Sequence, residues 1–305
     1  MSTAGASDRA VTVIVPSRGQ AERLDALRCA IESIAAQQDV HAIPLIVLNG
    51  SDVCPRVEAA LRADGRVRVV TQGESSLPNA YLVGRQAVET PWFATLDDDD
   101  LLLPGALARR VEELERRPDH AVVVTNGYRR DGGQDVVHIQ PPLDVAADPL
   151  RALPRRNWLL PGSWLCRSAM VGPAVFDGMP RCLECTFLAA RFASELRMVW
   201  IDEPTVVYHV GSPLAVTRSR DYIVGQMDAL RVILALPLPD DVRRALRRHM
   251  AGDYHDAADY DWRAGSLRSA WRWHVASLLE PGGWRHVTFT RHLLRTMLTR
   301  LTRTR

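Results

Sequence analysis

Four short apolar runs, at 11–15, 43–48, 67–70 and 92–96, recur along the first third of the chain with helix-like segments between them. This alternation limits the fold more than any other feature. The runs are rich in β-branched and aromatic residues and too short to be helices, which suits buried strands. Between the first two, Leu27, Ala30, Ile31, Ile34 and Ala35 fall at i, i+3, i+4, i+7 and i+8, one face of a helix. Residues 55–63 and 78–88 also read as helices. Strand and helix alternating through short links predict an α/β fold, with a Rossmann-like, mostly parallel sheet flanked by helices. Ligands of such sheets bind outside the carboxyl ends of the strands. The polar turns at 16–20, 49–52 and 97–100 lie there and are expected to converge on one cleft.

The third of these turns carries the chemistry. Asp97, Asp98, Asp99 and Asp100 follow Trp92-Phe93-Ala94-Thr95-Leu96 without a break. Adjacent carboxylates repel one another and desolvate poorly. A bound divalent cation, Mg²⁺ or Mn²⁺, held between one or two carboxylates and substrate phosphates, would account for them. The plainer alternative is a solvated acidic loop capping the helix that starts near Pro104. One carboxylate would serve such a cap, and four exceed the need.

Composition narrows the classes. The net charge of +2 carries no global signal for nucleic acid. All 38 basic residues are arginine, which excludes a lysine Schiff base and a phosphate-loop lysine. The five cysteines, Cys29, Cys54, Cys166, Cys182 and Cys185, are odd in number and scattered, which fits a reducing, cytoplasmic compartment better than a disulfide framework. Cys182 and Cys185 form a lone C-x-x-C without partners at zinc spacing. The first residues lack the apolar centre of a signal peptide, and no apolar run reaches the length of a membrane span.

Beyond the aspartates a helix is expected to about Arg117, a strand at 121–125, and a loop from Arg130 to Arg156. A helix follows at 184–196, then two short strands at 198–201 and 205–208 around Asp202-Glu203-Pro204.

With these motifs in place, the chain resembles the family 2 glycosyltransferases over about residues 10–212. Val13-Ile14-Val15-Pro16-Ser17-Arg18-Gly19 looks like the family's first strand and turn. Leu27, Ala30, Ile31, Ser33, Ile34 and Gln37 fit the helix L-x-x-A-I-x-S-I-x-x-Q. Leu48-Asn49-Gly50-Ser51 sits where the family has Asp-Asp/Asn-Gly-Ser, and Leu96 to Asp100, followed by Leu103-Pro104, matches its Leu-Asp-x-Asp-Asp block, the DxD motif. The resemblance implies a GT-A fold and inverting transfer of a sugar from a nucleotide donor (UDP-, GDP- or dTDP-linked) to a hydroxyl acceptor. It implies a metal held by Asp97 and Asp99, with His209 beside the metal or phosphates. Donor contacts would come from Pro16, Ser17, Arg18, Asn49, Asp52, Asp97 and Asp98, and Trp164 would either stack on the acceptor or serve as a core residue. Two positions depart from the pattern. Leu48 replaces the carboxylate that recognises the nucleobase, and Cys185 replaces the usual catalytic Asp. A thiol with a reference pKa of about 8.5 is a poor base for an alcohol, which leaves Glu184, then Asp177, to take the acceptor proton. The same two departures suggest a second reading, a catalytically degenerate nucleotide-sugar-binding or scaffold protein.

The expected organisation is a flexible N-terminus at 1–9, the transferase domain at 10–212 and a helical region at 213–305. No acidic residue follows Glu280, while six arginines do: Arg285, Arg291, Arg295, Arg300, Arg303 and Arg305. At 100° per residue Phe289, Leu293, Leu294, Met297, Leu298 and Leu301 share one half of a helix, Arg291, Arg295 and Arg303 the other, and Arg300 falls near Leu293. Such a helix either lies on an anionic membrane surface, making the protein peripheral at the inner face, or packs on the rest of the protein with a solvated basic face.

Overall fold

The structure, a computed structural model, describes residues 9–210 and 220–303, with the side chains of 220–221 and 300–303 outside the description. The segment 1–8, most of the N-terminus expected to be flexible, lies outside it. The chain divides into two compact units, Met1–Ser212 and Pro213–Arg305.

The first unit is built on a nine-stranded sheet. The strands are β1 (Ala10–Ser17), β2 (His41–Asn49), β3 (Arg68–Gln72), β4 (Trp92–Thr95), β5 (Leu101–Leu102), β6 (Val122–Asp131), β7 (Gln134–Val137), β8 (Trp164–Arg167) and β9 (Met198–His209). The order is β3-β2-β1-β4-β8-β6-β9-β5, with β7 paired to β6. The first four strands of that order are mutually parallel, β6 and β9 run the same way, and β8, β5 and β7 oppose them. The parallel half is crossed by α1 (Leu24–Ala35), α2 (Pro55–Ala63) and α3 (Leu77–Gln86), and α4 (Ala106–Arg116) follows the aspartates. Two later helices are α5 (Pro149–Ala152) and α6 (Glu184–Glu195).

Periodicity translates directly into packing. Leu27, Ala30, Ile31 and Ile34 of α1 are all buried against Val11, Val13, Val15, Ile46 and Leu48 of the sheet. On α3, a Cβ at Gly84 would come within 2.4 Å of Ile14 Cγ2, so glycine lets this helix lie close on β1. The polar members of α1 and its C-terminal continuation have work of their own. Ser33 Oγ accepts the Leu102 N–H at 3.2 Å, while Gln37 donates to the Leu103 carbonyl at 2.9 Å and accepts the Leu107 N–H at 3.0 Å. The helix thereby fixes the segment just after the four aspartates.

Two expectations need correction. The stretch from Arg130 is not all loop, because β6 runs to Asp131 and turns through Gly132-Gly133 into β7. The two short strands around Pro204 are one strand, β9, which absorbs the proline at a bulge facing Thr125 and Asn126. Trp164 begins β8, inserted antiparallel between β4 and β6.

The second unit is helical among its described residues: α7 (Arg220–Leu234), α8 (Asp240–Arg263), α9 (Leu267–Leu279) and α10 (Phe289–Arg303). No helix among the described residues is long and apolar enough to cross a membrane.

Candidate active site

The four aspartates form a tight turn at the carboxyl end of β4, closed by the Asp100 N–H donating to the Asp97 carbonyl at 3.1 Å. Asp98 and Asp99 share Arg23, while Asp97 and Asp100 face other partners. Asp98 is buried and points at β1, where Ser17 Oγ donates to it at 2.6 Å. Arg23, in the 3₁₀ turn after β1, donates from Nε to Asp98 at 3.1 Å and from its terminal nitrogen to both Asp98 and Asp99, the latter at 2.9 Å. Ser17 Oγ in turn accepts the Gly19 N–H at 3.1 Å. Gly19 has φ 59° and would press a Cβ against Val53 and Leu48. The 16–20 turn and the aspartate turn are therefore locked together by hydrogen bonds to Asp98.

Asp97 accepts the Tyr81 hydroxyl of α3 at 3.3 Å. Burial pushes the Asp97 carboxyl well above its usual range, and the charges of Asp100, Asp99 and Asp98 push it further. Asp100 is fully buried. It accepts the His209 backbone N–H at 2.8 Å, and the His209 ring Nδ1 stands 3.7 Å from the same carboxylate oxygen. Burial raises the Asp100 carboxyl as well, against the backbone hydrogen bond from His209, which lowers it. Asp100 Oδ2 and His209 Nδ1 are buried polar atoms without a hydrogen-bond partner among the described residues. Orphaned atoms of this kind are uncommon and call for an explanation.

Glu184 is the first residue of α6, and Leu183 before it holds a left-handed backbone, φ 58°. For a leucine that conformation is strained. Burial lifts the Glu184 carboxyl to about 7, and the nearby Asp97 charge adds to the effect. The Cys185 thiol is pushed well up by burial, then by the charges of Asp97, Glu184 and Asp100. It stays protonated at neutral pH and offers no base. Tyr208, next to His209 on β9, has its hydroxyl raised by burial and by the Asp100 and Asp97 charges.

Several expected residues sit in the cleft region in other roles. Pro16 is buried in β1 and Arg18 is exposed in the following turn. Asn49 is buried, and its side-chain carbonyl accepts the Ser76 N–H at 2.8 Å and the Gln72 side-chain amide, so it fastens β2 to the loop before α3. Asp52 is exposed and accepts from Ser51 at 3.2 Å. Leu48 is fully buried in the sheet core. Asp177 is exposed after the 3₁₀ turn Pro173–Phe176, and its carbonyl accepts from Arg191 at 2.8 Å. Trp164 must be corrected as an acceptor platform. It is 1% exposed, and its ring is enclosed by Phe93 and Phe192 with centroids at 5.8 and 5.4 Å. No sugar can reach it.

Arg23, Tyr81 and Tyr208 were not legible as site residues. One signal pointed to Arg23: a carboxylate run buried this tightly needs an internal cation, and Arg23 closes the turn that precedes α1.

Among the described residues no group of three or more His, Cys, Asp or Glu side chains is arranged to hold a metal ion. Mg²⁺ and Mn²⁺ bound through one or two carboxylates and substrate phosphates do not require one. Carboxylate oxygen and imidazole are donor types such an ion takes, and Asp100 Oδ2 and His209 Nδ1 are two of them left without partners side by side, so the chemistry of these residues fits such an ion.

A largely parallel α/β sheet carrying a carboxylate turn at its strand ends, with a helix whose first residue, the half-buried Glu184, feels the Asp97 charge, is the framework of a GT-A enzyme. The profile described as glycosyl transferase family 2 matches residues 12–170. The chain belongs to that family and is a sugar-transferring enzyme. Among solved structures it is similar in fold to S. aureus TarS 1–349 in complex with UDP-GlcNAc, at 11% identity and TM-score 0.61 over 88% of this chain and 81% of that one. The same protein in complex with UDP aligns at 12% identity and TM-score 0.54, over 80% and 72% of the two chains. No curated protein matches the sequence.

Proposed function

We propose that the chain transfers a sugar, with inversion and with the help of Mg²⁺ or Mn²⁺, from a nucleotide-sugar donor to a hydroxyl acceptor. The observation that carries this reading is the pairing of the aspartate turn with Glu184, whose carboxyl is raised by burial and by the Asp97 charge. The similarity to a fold crystallised with UDP and UDP-GlcNAc supports a nucleoside diphosphate as the leaving group; UDP, GDP and dTDP are the candidates. The family membership supports the metal.

In this reading Asp97 and Asp99 would hold the cation, with Asp100 and His209 beside them, and it would supply Lewis-acid stabilisation of the departing diphosphate. Tyr81 orients Asp97 through its hydroxyl. Arg23 and Ser17 hold Asp98 so that the turn keeps its shape. Glu184 takes the acceptor proton once it is ionised, and a carboxyl poised at about 7 combines availability with basicity near neutral pH. Asp177, exposed on the neighbouring segment, is the second candidate for that step. Arg18, Asp52 and backbone groups of the first two turns remain open to the nucleoside, while Leu48 cannot bind a base edge. The five free thiols suit a cytoplasmic setting.

The competing reading, a nucleotide-sugar-binding protein without turnover, is motivated by Leu48 and Cys185. Incubation with UDP-, GDP- and dTDP-sugars, with Mn²⁺ or with EDTA, separates the two. Mn²⁺-dependent release of free nucleoside diphosphate supports the enzyme. Binding without release, across donors and acceptors, supports the scaffold.

A further inference from the structure

The second unit presents apolar side chains to solvent around the turn between α9 and α10. Leu279 is 78% exposed, Trp284 72%, Val287 54% and Leu298 61%, with Leu294 and Met297 also exposed. These are not the residues that dock α10. That task falls to Phe289 and Leu293, both buried, and to Thr296, which accepts the Trp262 indole N–H at 2.9 Å. On a helix at 100° per residue, Leu294 and Leu298 lie 100° and 140° around from Leu293. So only one edge of the apolar stripe of α10 is buried, and the face carrying Leu294 and Leu298 is unused within the unit.

The unused face is bordered by cations. The Arg285 guanidinium stands 5.8 Å from the centroid of the Trp284 ring. Arg291 and Arg295 are exposed, and neither has a carboxylate partner among the described residues. No acidic residue follows Glu280, and Glu280 itself is paired with Arg247 at 2.8 Å. A second copy of this chain meeting the same face by two-fold symmetry would set arginine against arginine. A surface that is apolar below and anionic above matches both features at once, and an exposed tryptophan beside arginine is suited to its boundary.

We propose that the α9–α10 turn and the outer face of α10 form a docking surface for an anionic lipid bilayer. Trp284, Leu294 and Leu298 enter the acyl boundary while Arg285, Arg291 and Arg295 remain at the phosphate level. The helix lies in the plane of the interface and does not cross it.

The test is flotation of the full chain with vesicles of phosphatidylglycerol and phosphatidylcholine, and with vesicles of phosphatidylcholine alone. The chain is expected to float with the anionic vesicles only, and to be released when salt rises to about 0.5 M, where charge attraction is screened within a few ångströms. Leu294→Ser with Leu298→Ser, and separately Arg291→Gln with Arg295→Gln, are each expected to cut the bound fraction at least about tenfold, since each arginine near an anionic surface accounts for roughly fivefold. All these residues are exposed, so circular dichroism and donor hydrolysis should be unchanged. Equal flotation with neutral vesicles, no flotation with either, or undiminished binding by both double variants overturns the proposal. So does a stable dimer in light scattering that the Leu294→Ser, Leu298→Ser variant dissociates, which would make this face a protein interface. Donor hydrolysis is independent of all four outcomes.

Discussion

Replacing Glu184 with glutamine should stabilise the protein and abolish transfer, and both effects have one cause. The folded protein raises this carboxyl from an ordinary 4.5 to about 7. The native state therefore holds the Glu184 proton more tightly than the unfolded chain does. As pH rises from about 4.5 to about 7 the native state is progressively forced to bury a charge, and stability falls; above that window the whole cost is present. A shift of this size corresponds to about 3 kcal/mol. Glutamine keeps the shape and removes the charge. At pH 8.5 the variant should gain up to about 3 kcal/mol, or roughly 6–12 °C in Tm for a unit of this size. At pH 5 the gain should fall below about 1 kcal/mol, because the wild type is protonated there too. Transfer should drop by about 10²–10⁴, the usual worth of a general base, and wild-type kcat/KM should rise with pH through about 7. Mn²⁺ should narrow the difference in Tm by neutralising Asp97, which contributes to the shift. Thermal denaturation of both proteins at the two pH values is the assay. An equal gain at pH 5 and 8.5, or none at pH 8.5, would refute the reasoning.

Other substitutions probe the supports of the turn. Arg23→Met strips buried Asp98 of its cation and should destabilise by about 2–3 kcal/mol; the same change frees Asp99, so Mn²⁺ affinity measured by electron paramagnetic resonance should increase. Tyr81→Phe removes one hydroxyl donor from Asp97 and should lower kcat/KM about fivefold at nearly unchanged Tm, the equivalent of about 1 kcal/mol. Trp164→Ala should behave as a core truncation, with a loss of about 3–5 kcal/mol in chemical denaturation and no selective rise in the acceptor KM.

The parallel half of the sheet was readable because β1, β2 and β4 are buried on both faces and α1 shows one uninterrupted apolar stripe. Elements fixed by long-range pairing were less visible. The four residues of β8 have no periodicity of their own and become a strand only by lying between β4 and β6. Pro204 suggested a break in β9, yet a proline can be accommodated at a bulge. Asp131-Gly132-Gly133 was a hairpin signal hidden inside what read as a long loop. Within the site, the aspartate run announced itself by charge density. Its partners Arg23 and Tyr81 did not, because they reach it from separate elements, and His209 was visible only through the family resemblance. Trp164 shows the opposite failure: an aromatic side chain reads alike in a core and on a sugar platform, and only burial separates them.

Whether the aspartate turn binds a diphosphate through a cation decides how this enzyme works. Calorimetric titration of the nucleoside diphosphate released from the preferred donor, into wild type and into Asp99→Ala, with Mn²⁺ and with EDTA, measures this directly. Tight binding is expected for wild type with Mn²⁺ alone, with affinity falling at least about a hundredfold, near 3 kcal/mol, in EDTA or in Asp99→Ala. Equal affinity under all four conditions would contradict the assignment of the turn as the cation-binding end of the donor site.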